Sequence, residues 1–97
     1  MEFKEPSKTG FTVYTKSGCH FCTKVKKLFQ EKKLLYETID CDDYLIEDRE
    51  NFLLFIEKTC KVNYKTFPII FNDGIFIGGY PETSDYLDKM INFDEDF

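Results

Sequence analysis

Cys19-His20-Phe21-Cys22 puts two thiols one helical turn apart, where a β-like run (Phe11 to Thr15) gives way to a helical pattern (Thr23 to Lys33). A thiol attacks disulfides and binds metals as its thiolate. A cysteine at a helix N-terminus faces unpaired N–H groups and the positive end of the helix dipole, and both favour that anion. Cys19 falls at such a terminus. Cys22 lies far enough into the helix to attack a mixed disulfide formed on Cys19. The pair therefore admits disulfide exchange or metal binding. Zinc is the weaker reading, because Cys41 and Cys60 are single and supply no second tight pair of ligands.

The elements that must position this pair follow from the chain's patterning. Phe11-Thr12-Val13-Tyr14-Thr15 is β-branched and aromatic and reads as a strand. Lys16-Ser17-Gly18 is a loop. Cys22, Val25, Leu28 and Phe29 recur at helical spacing, with lysines on the other face. Lys24, Lys26 and Lys27 read as a solvated face that could also attract anionic partners. Leu35 to Ile39 reads as a second strand. The acidic stretch from Asp40 to Glu50 reads as a solvated loop and helix entry, and it lacks the turn glycine of a calcium loop. Phe52, Phe55, Ile56, Thr59 and Cys60 mark one face of a second helix, which makes Cys60 a buried structural thiol.

Two apolar runs, Pro68 to Phe71 and Ile75 to Ile77, flank Asn72-Asp73-Gly74 and predict a β-hairpin. Gly78-Gly79 ends the pattern. Pro81 and Glu82 suit the first turn of a last helix, whose apolar face is Thr83, Tyr86, Leu87, Met90 and Ile91. The order is β-α-β-α-β-β-α. A parallel pair from the βαβ unit and an antiparallel pair from the hairpin make a four-stranded mixed sheet flanked by helices.

Ninety-seven residues suit one domain. Residues 1–10 read as a loosely docked arm, 11–92 as the domain, and 93–97 as a frayed acidic tail. The net charge of −5 argues against nucleic acid as a partner. The first residues carry no apolar leader, and no apolar run is long enough to span a bilayer. A reducing, cytoplasmic setting without a membrane partner is the expectation. In that setting a close cysteine pair is catalytic or metal-binding more often than a permanent staple.

Lys16, the Cys19–Cys22 motif, Thr66-Phe67-Pro68 and Gly78-Gly79, in this order on this β/α pattern, resemble the glutaredoxins from Phe11 to about Ile91. The resemblance implies an α/β, thioredoxin-like fold and a glutathione-dependent thiol–disulfide oxidoreductase. Its partners would be glutathione and disulfide-containing or glutathionylated proteins, and a monomer is expected. Cys19 matches the family's nucleophile and Cys22 its resolving thiol. Lys16 matches a lysine that favours the thiolate and contacts glutathione. Phe21 replaces the usual tyrosine, keeping the ring and losing the hydroxyl.

Thr66-Phe67-Pro68 stands where the family has Thr-Val-Pro with a cis proline. The residues themselves support an extended Phe67, whose N–H and C=O can pair with a bound peptide. Taken alone they fit better a proline at the first residue of an edge strand. Gly79 and Tyr80 match the N–H groups that receive the γ-glutamyl end of glutathione. Pro81 cannot donate there, so the Glu82 N–H or the Thr83 hydroxyl would have to substitute.

His20 stands where many family members have proline, and its charge could tune Cys19. The loop from Lys61 to Lys65 departs from the family's shorter connection. Cys41, beside acidic residues, reads as a bystander. Two rival activities remain: a glutathione-assisted 2Fe–2S cluster carrier, which a motif without proline leaves open, and a thioredoxin-like reductase fed by an NADPH-dependent reductase.

Overall fold

Strand β1 (Phe11–Thr15) is buried along its whole length, as expected of a central strand with both faces covered. The computed structural model describes residues 2–95. After β1 come α1 (His20–Glu31), β2 (Tyr36–Asp40), α2 (Asp42–Glu47), α3 (Arg49–Cys60), β3 (Ile69–Asn72), β4 (Ile75–Gly78) and α4 (Tyr80–Glu95). The sheet order is β2-β1-β3-β4. β1 runs parallel to β2 and antiparallel to β3, and β3 pairs antiparallel with β4. This is the four-stranded mixed sheet that the patterning predicts.

Alternation along the strands divides the core into two layers. Phe11, Val13 and Ile70 pack with Val25 and Phe29 of α1 and Leu87 of α4. Tyr14, Ile39, Ile69 and Phe71 face the other way, against Phe52, Ile56 and Cys60 of α3. The hairpin turn carries positive φ at Asp73 (54°) and Gly74 (79°), the signature of a type I′ turn whose twist matches its strands.

Five expectations need correction. The acidic stretch, read as a loop and the entry to a single helix, contains a separate helix, α2, with Asp42 and Asp43 in its first turn. There their charges face the helix N-terminus favourably. The second strand starts one residue later than the pattern suggests, and Leu35 is 92% exposed. The cause lies at the end of α1. Lys33 adopts φ 59°, and the N–H groups of Lys33 and Leu34 donate to the carbonyls of Gln30 and Phe29. That is a Schellman closure made with lysine rather than glycine.

The arm is firmly docked. Phe3 sets its ring edge-on to Tyr44 (5.1 Å) and Phe52 (5.4 Å). The buried Tyr14 hydroxyl donates to the Lys4 carbonyl at 2.7 Å, and Lys4 pairs with Glu37 at 2.5 Å. Finally, the predicted apolar face of α4 is only partly interior: Thr83 and Leu87 are buried, while Tyr86 and Met90 are each 38% exposed. The environment of Ile91 lies outside the described residues. Of the stretch read as a tail, 93–95 belong to α4; 96 and 97, like residue 1 of the arm, lie outside the described residues.

Candidate active site

Cys19 is the N-cap of α1, with extended backbone (φ −95°, ψ 104°). Its sulfur accepts the Cys22 N–H at 3.1 Å, the bond an N-cap oxygen ordinarily makes to the third residue of a helix. The first turn of α1 holds no acidic residue. Helix N–H groups and the dipole thus act on this sulfur without a competing side-chain anion on the same turn. Cys19 and Cys22 are joined as a disulfide with Cα atoms 5.2 Å apart, inside the normal range. Cys19 is partly exposed and Cys22 is buried, so an incoming disulfide reaches only the first.

The other segments meet beside this turn. Phe67–Pro68 is a cis peptide. It lies just before β3, whose first residue is Ile69, paired with Tyr14 of β1. A cavity of about 620 Å³ is walled by Phe21, Thr66, Phe67, Pro68, Gly79 and Tyr80, with Tyr64, Pro81 and Glu82 completing it. Six residues from three separate segments, all singled out by sequence, thus converge. Lys16 and Cys19 open instead onto an adjoining depression of about 500 Å³, shared with His20 and Lys26. A residue of each lining meets the other where the Lys16 ammonium sits over the Phe67 ring, 5.3 Å from its centroid. Lys24 similarly spans Phe21 (5.5 Å) and Tyr80 (5.1 Å), bracing the exposed Phe21 ring.

The start of α4 differs from expectation in its chemistry. Thr83 is fully buried, and its hydroxyl has no hydrogen-bond partner. Glu82 contributes its carboxylate, which accepts the Gly79 N–H at 2.8 Å. The spacing is that of a capping box, three residues past the N-cap, and could have been read from the sequence. Gly79 permits a close approach: a Cβ there would meet the Tyr64 hydroxyl, and the ring would have to shift. Tyr64 itself carried no sequence signal, since it comes from the divergent loop. Burial, and then the Glu82 carboxylate, push its phenol pKa upward.

Cys41 and Cys60 lie in the core and take no part in this site. Burial, then the Asp40 carboxylate, raise Cys41 to about 12; burial alone raises Cys60 to about 11. Among the described residues no three His, Cys, Asp or Glu side chains gather as metal ligands.

Comparison with known proteins agrees with this geometry. The family model described as glutaredoxin matches residues 11–77. Glutaredoxin 1 of Rickettsia felis is 36% identical over 84 residues, covering 81% of this chain and 78% of the relative. Among solved structures, glutaredoxin 1 from Francisella tularensis complexed with cacodylate superimposes with a TM-score of 0.74 at 29% identity, over 86% of this chain and 96% of that one. A buckwheat glutaredoxin–glutathione complex gives 0.69 at 25% identity, over 86% and 72%.

Proposed function

The chain belongs to the glutaredoxin family, and from that premise we propose that it uses glutathione to reduce protein disulfides and glutathione mixed disulfides. It is a thiol–disulfide oxidoreductase with Cys19–Cys22 as its active-site pair. The observation that carries the glutathione reading is the convergence of Phe21, Thr66-Phe67-Pro68 and Gly79-Tyr80 on one cavity next to the disulfide. A similar protein from buckwheat forms a complex with glutathione.

In this reading Phe67, outside the β3 ladder, offers its N–H and C=O to the peptide part of glutathione as an added strand would. Tyr80 offers its N–H at the start of α4 to the γ-glutamyl carboxylate. Phe21 supplies an apolar wall, and Lys16 a cation that favours both the bound anion and the Cys19 thiolate. The Cys19 thiolate attacks the glutathione sulfur of a mixed disulfide. A Cys19–glutathione disulfide forms and the protein thiolate leaves. A second glutathione thiolate then attacks that glutathione's sulfur, forming glutathione disulfide and returning Cys19 as thiolate. With a protein disulfide, Cys19 attacks one sulfur and releases the other as a thiolate; Cys22 then attacks the Cys19 sulfur of that mixed disulfide, expels the second substrate thiolate and leaves the pair oxidised for glutathione to reduce. A helix-terminal thiolate serves as attacker and as leaving group in turn.

Cluster carriage fits less well. Among the described residues one subunit exposes a single thiol position at Cys19 and gathers no further ligands, so a cluster would need a second copy and external thiols. A monomer in a reducing, cytoplasm-like compartment suits the thiol cycle. The test is turnover of one sample with two reductants. Glutathione kept reduced by its own reductase should support it and a thioredoxin reductase should not; the reverse result would restore the thioredoxin-like reading.

A further inference from the structure

The Lys16–Gly18 loop that delivers Cys19 is held from outside its own segment. The Ser17 N–H donates to one carboxylate oxygen of Asp42 at 2.8 Å, and the Ser17 hydroxyl donates to the other. Asp42 is the first residue of α2. Its own N–H donates to the Asp40 carboxylate at 3.0 Å, and the Cys41 N–H donates to the Thr15 carbonyl at 2.8 Å. The β2–α2 turn and the β1–α1 loop are therefore one hydrogen-bonded unit. Two bonds from Ser17 hold Asp42's carboxyl below its usual range, which keeps it an acceptor across the working pH range of a thiol enzyme. Gly18, directly before Cys19, adopts φ 70°, a conformation open to glycine with little cost. Loop sterics alone therefore restrain this hinge weakly.

We propose that Asp42 is a positioning residue for the redox centre: by gripping Ser17 at two points it fixes the Lys16–Gly18 loop and so holds Cys19 at the N-terminus of α1. The benefit passes through geometry. Helix-end stabilisation of a thiolate falls off within the first turn, so a Cys19 that drifts with its loop loses it. The carboxylate's own charge acts the other way, since an anion near Cys19 disfavours a second anion. The groups sharing the Cys19 depression are Lys16, His20, Lys26 and Asp40. None of them bonds Ser17; Lys16 belongs to the loop that Asp42 holds, while His20, Lys26 and Asp40 lie outside it.

The opposed signs make the experiment decisive. It rests on Cys19 as the reactive thiol and needs no glutathione, so it fails separately from the glutathione reading. The reduced protein is alkylated with iodoacetamide across pH, and the Cys19 product is followed by mass spectrometry. Asp42→Ala should slow Cys19 alkylation below its midpoint by about threefold to tenfold, a pKa rise of roughly half to one unit. Asp42→Asn, which still accepts the Ser17 N–H and can donate to its hydroxyl, should restore the wild-type rate or exceed it. Ser17→Ala, which loses one of the two bonds, should fall between wild type and Asp42→Ala, and adding it to Asp42→Ala should change nothing more. Equal acceleration in Asp42→Ala and Asp42→Asn would show that only charge matters and would overturn the proposal. Unchanged profiles in all variants would overturn it too.

Discussion

Two pairs of cysteines occupy this small domain, and their settings are opposite. Cys19 and Cys22 sit on the first turn of α1, where the Cys22 N–H donates to the outer sulfur and the loop before it is tied to α2. Cys41 and Cys60 sit between the sheet and α3, among Tyr14, Phe52, Ile56 and Phe71. One environment supplies donors and an opening to solvent; the other removes water and supplies a carboxylate behind Cys41. Reactivity is thus a property of placement, since the residue type is the same. A thiol at a helix start is poised to ionise, whereas a thiol walled in by aromatic rings packs as a small apolar side chain.

The most severe way to break the comparison is to remove the reactive thiol. Cys19→Ser should lose all measurable turnover with a glutathionylated substrate, while Cys22→Ser should retain a large share, because the monothiol route needs no resolving thiol. Turnover surviving in Cys19→Ser would move the chemistry elsewhere. The next effect is a contrast in labelling. At pH 7 the buried thiols, raised to about 12 and about 11, hold only about one part in 10⁵ and 10⁴ as thiolate. Brief iodoacetamide treatment of the reduced, folded protein should therefore mark Cys19 and leave Cys41 and Cys60 untouched until denaturant is added. Equal marking of all four would contradict the distinction.

Much of the reactive region is legible in sequence because its signals are local. Cys19 to Cys22, Thr66 to Pro68 and Gly78-Gly79 each lie within a few residues, and the strand–helix order brings them to one end of the sheet. What sequence does not disclose is what comes from far along the chain. Ser17 meets Asp42 across 25 residues, and Phe3 of the N-terminal arm meets Phe52 of α3. Tyr64 enters the cavity from a loop with no periodicity to read. The docking of the arm was hidden for a further reason: Pro6, Ser7 and Gly10 suggest looseness, yet Ser7 and Gly10 are anchored by Thr12, Glu37 and Asp73.

That arm sharpens the comparison, since Phe3 packs against the cluster that shelters the inert thiols. Phe3→Ala should destabilise the fold by about 2 kcal/mol, less than a fully buried phenylalanine because Phe3 is only partly buried. Denaturant melts would measure it, and the labelling of Cys41 and Cys60 should quicken in step. An unchanged midpoint would mean that the arm contributes nothing to the seal.

A smaller effect concerns alkaline pH. In the unfolded chain both core thiols ionise near their ordinary value of 9.0, while in the fold they stay protonated to about 12 and about 11. Above pH 9 the native state therefore holds more protons than the unfolded state, and stability falls as pH rises. The expected loss is about 1 kcal/mol per thiol at pH 10. A Cys41→Ala, Cys60→Ala double variant should lose most of that slope; an identical slope in wild type and variant would remove the thiols as its cause.

The central claim is that one sulfur, Cys19, is the point of exchange with glutathione. Its most direct test is to treat reduced Cys22→Ser protein with glutathione disulfide at neutral pH and locate the adduct by peptide mass spectrometry. The account predicts one glutathione per chain, on Cys19, with Cys41 and Cys60 free. No adduct, or an adduct on Cys41 or Cys60 with Cys19 unmodified, would contradict it.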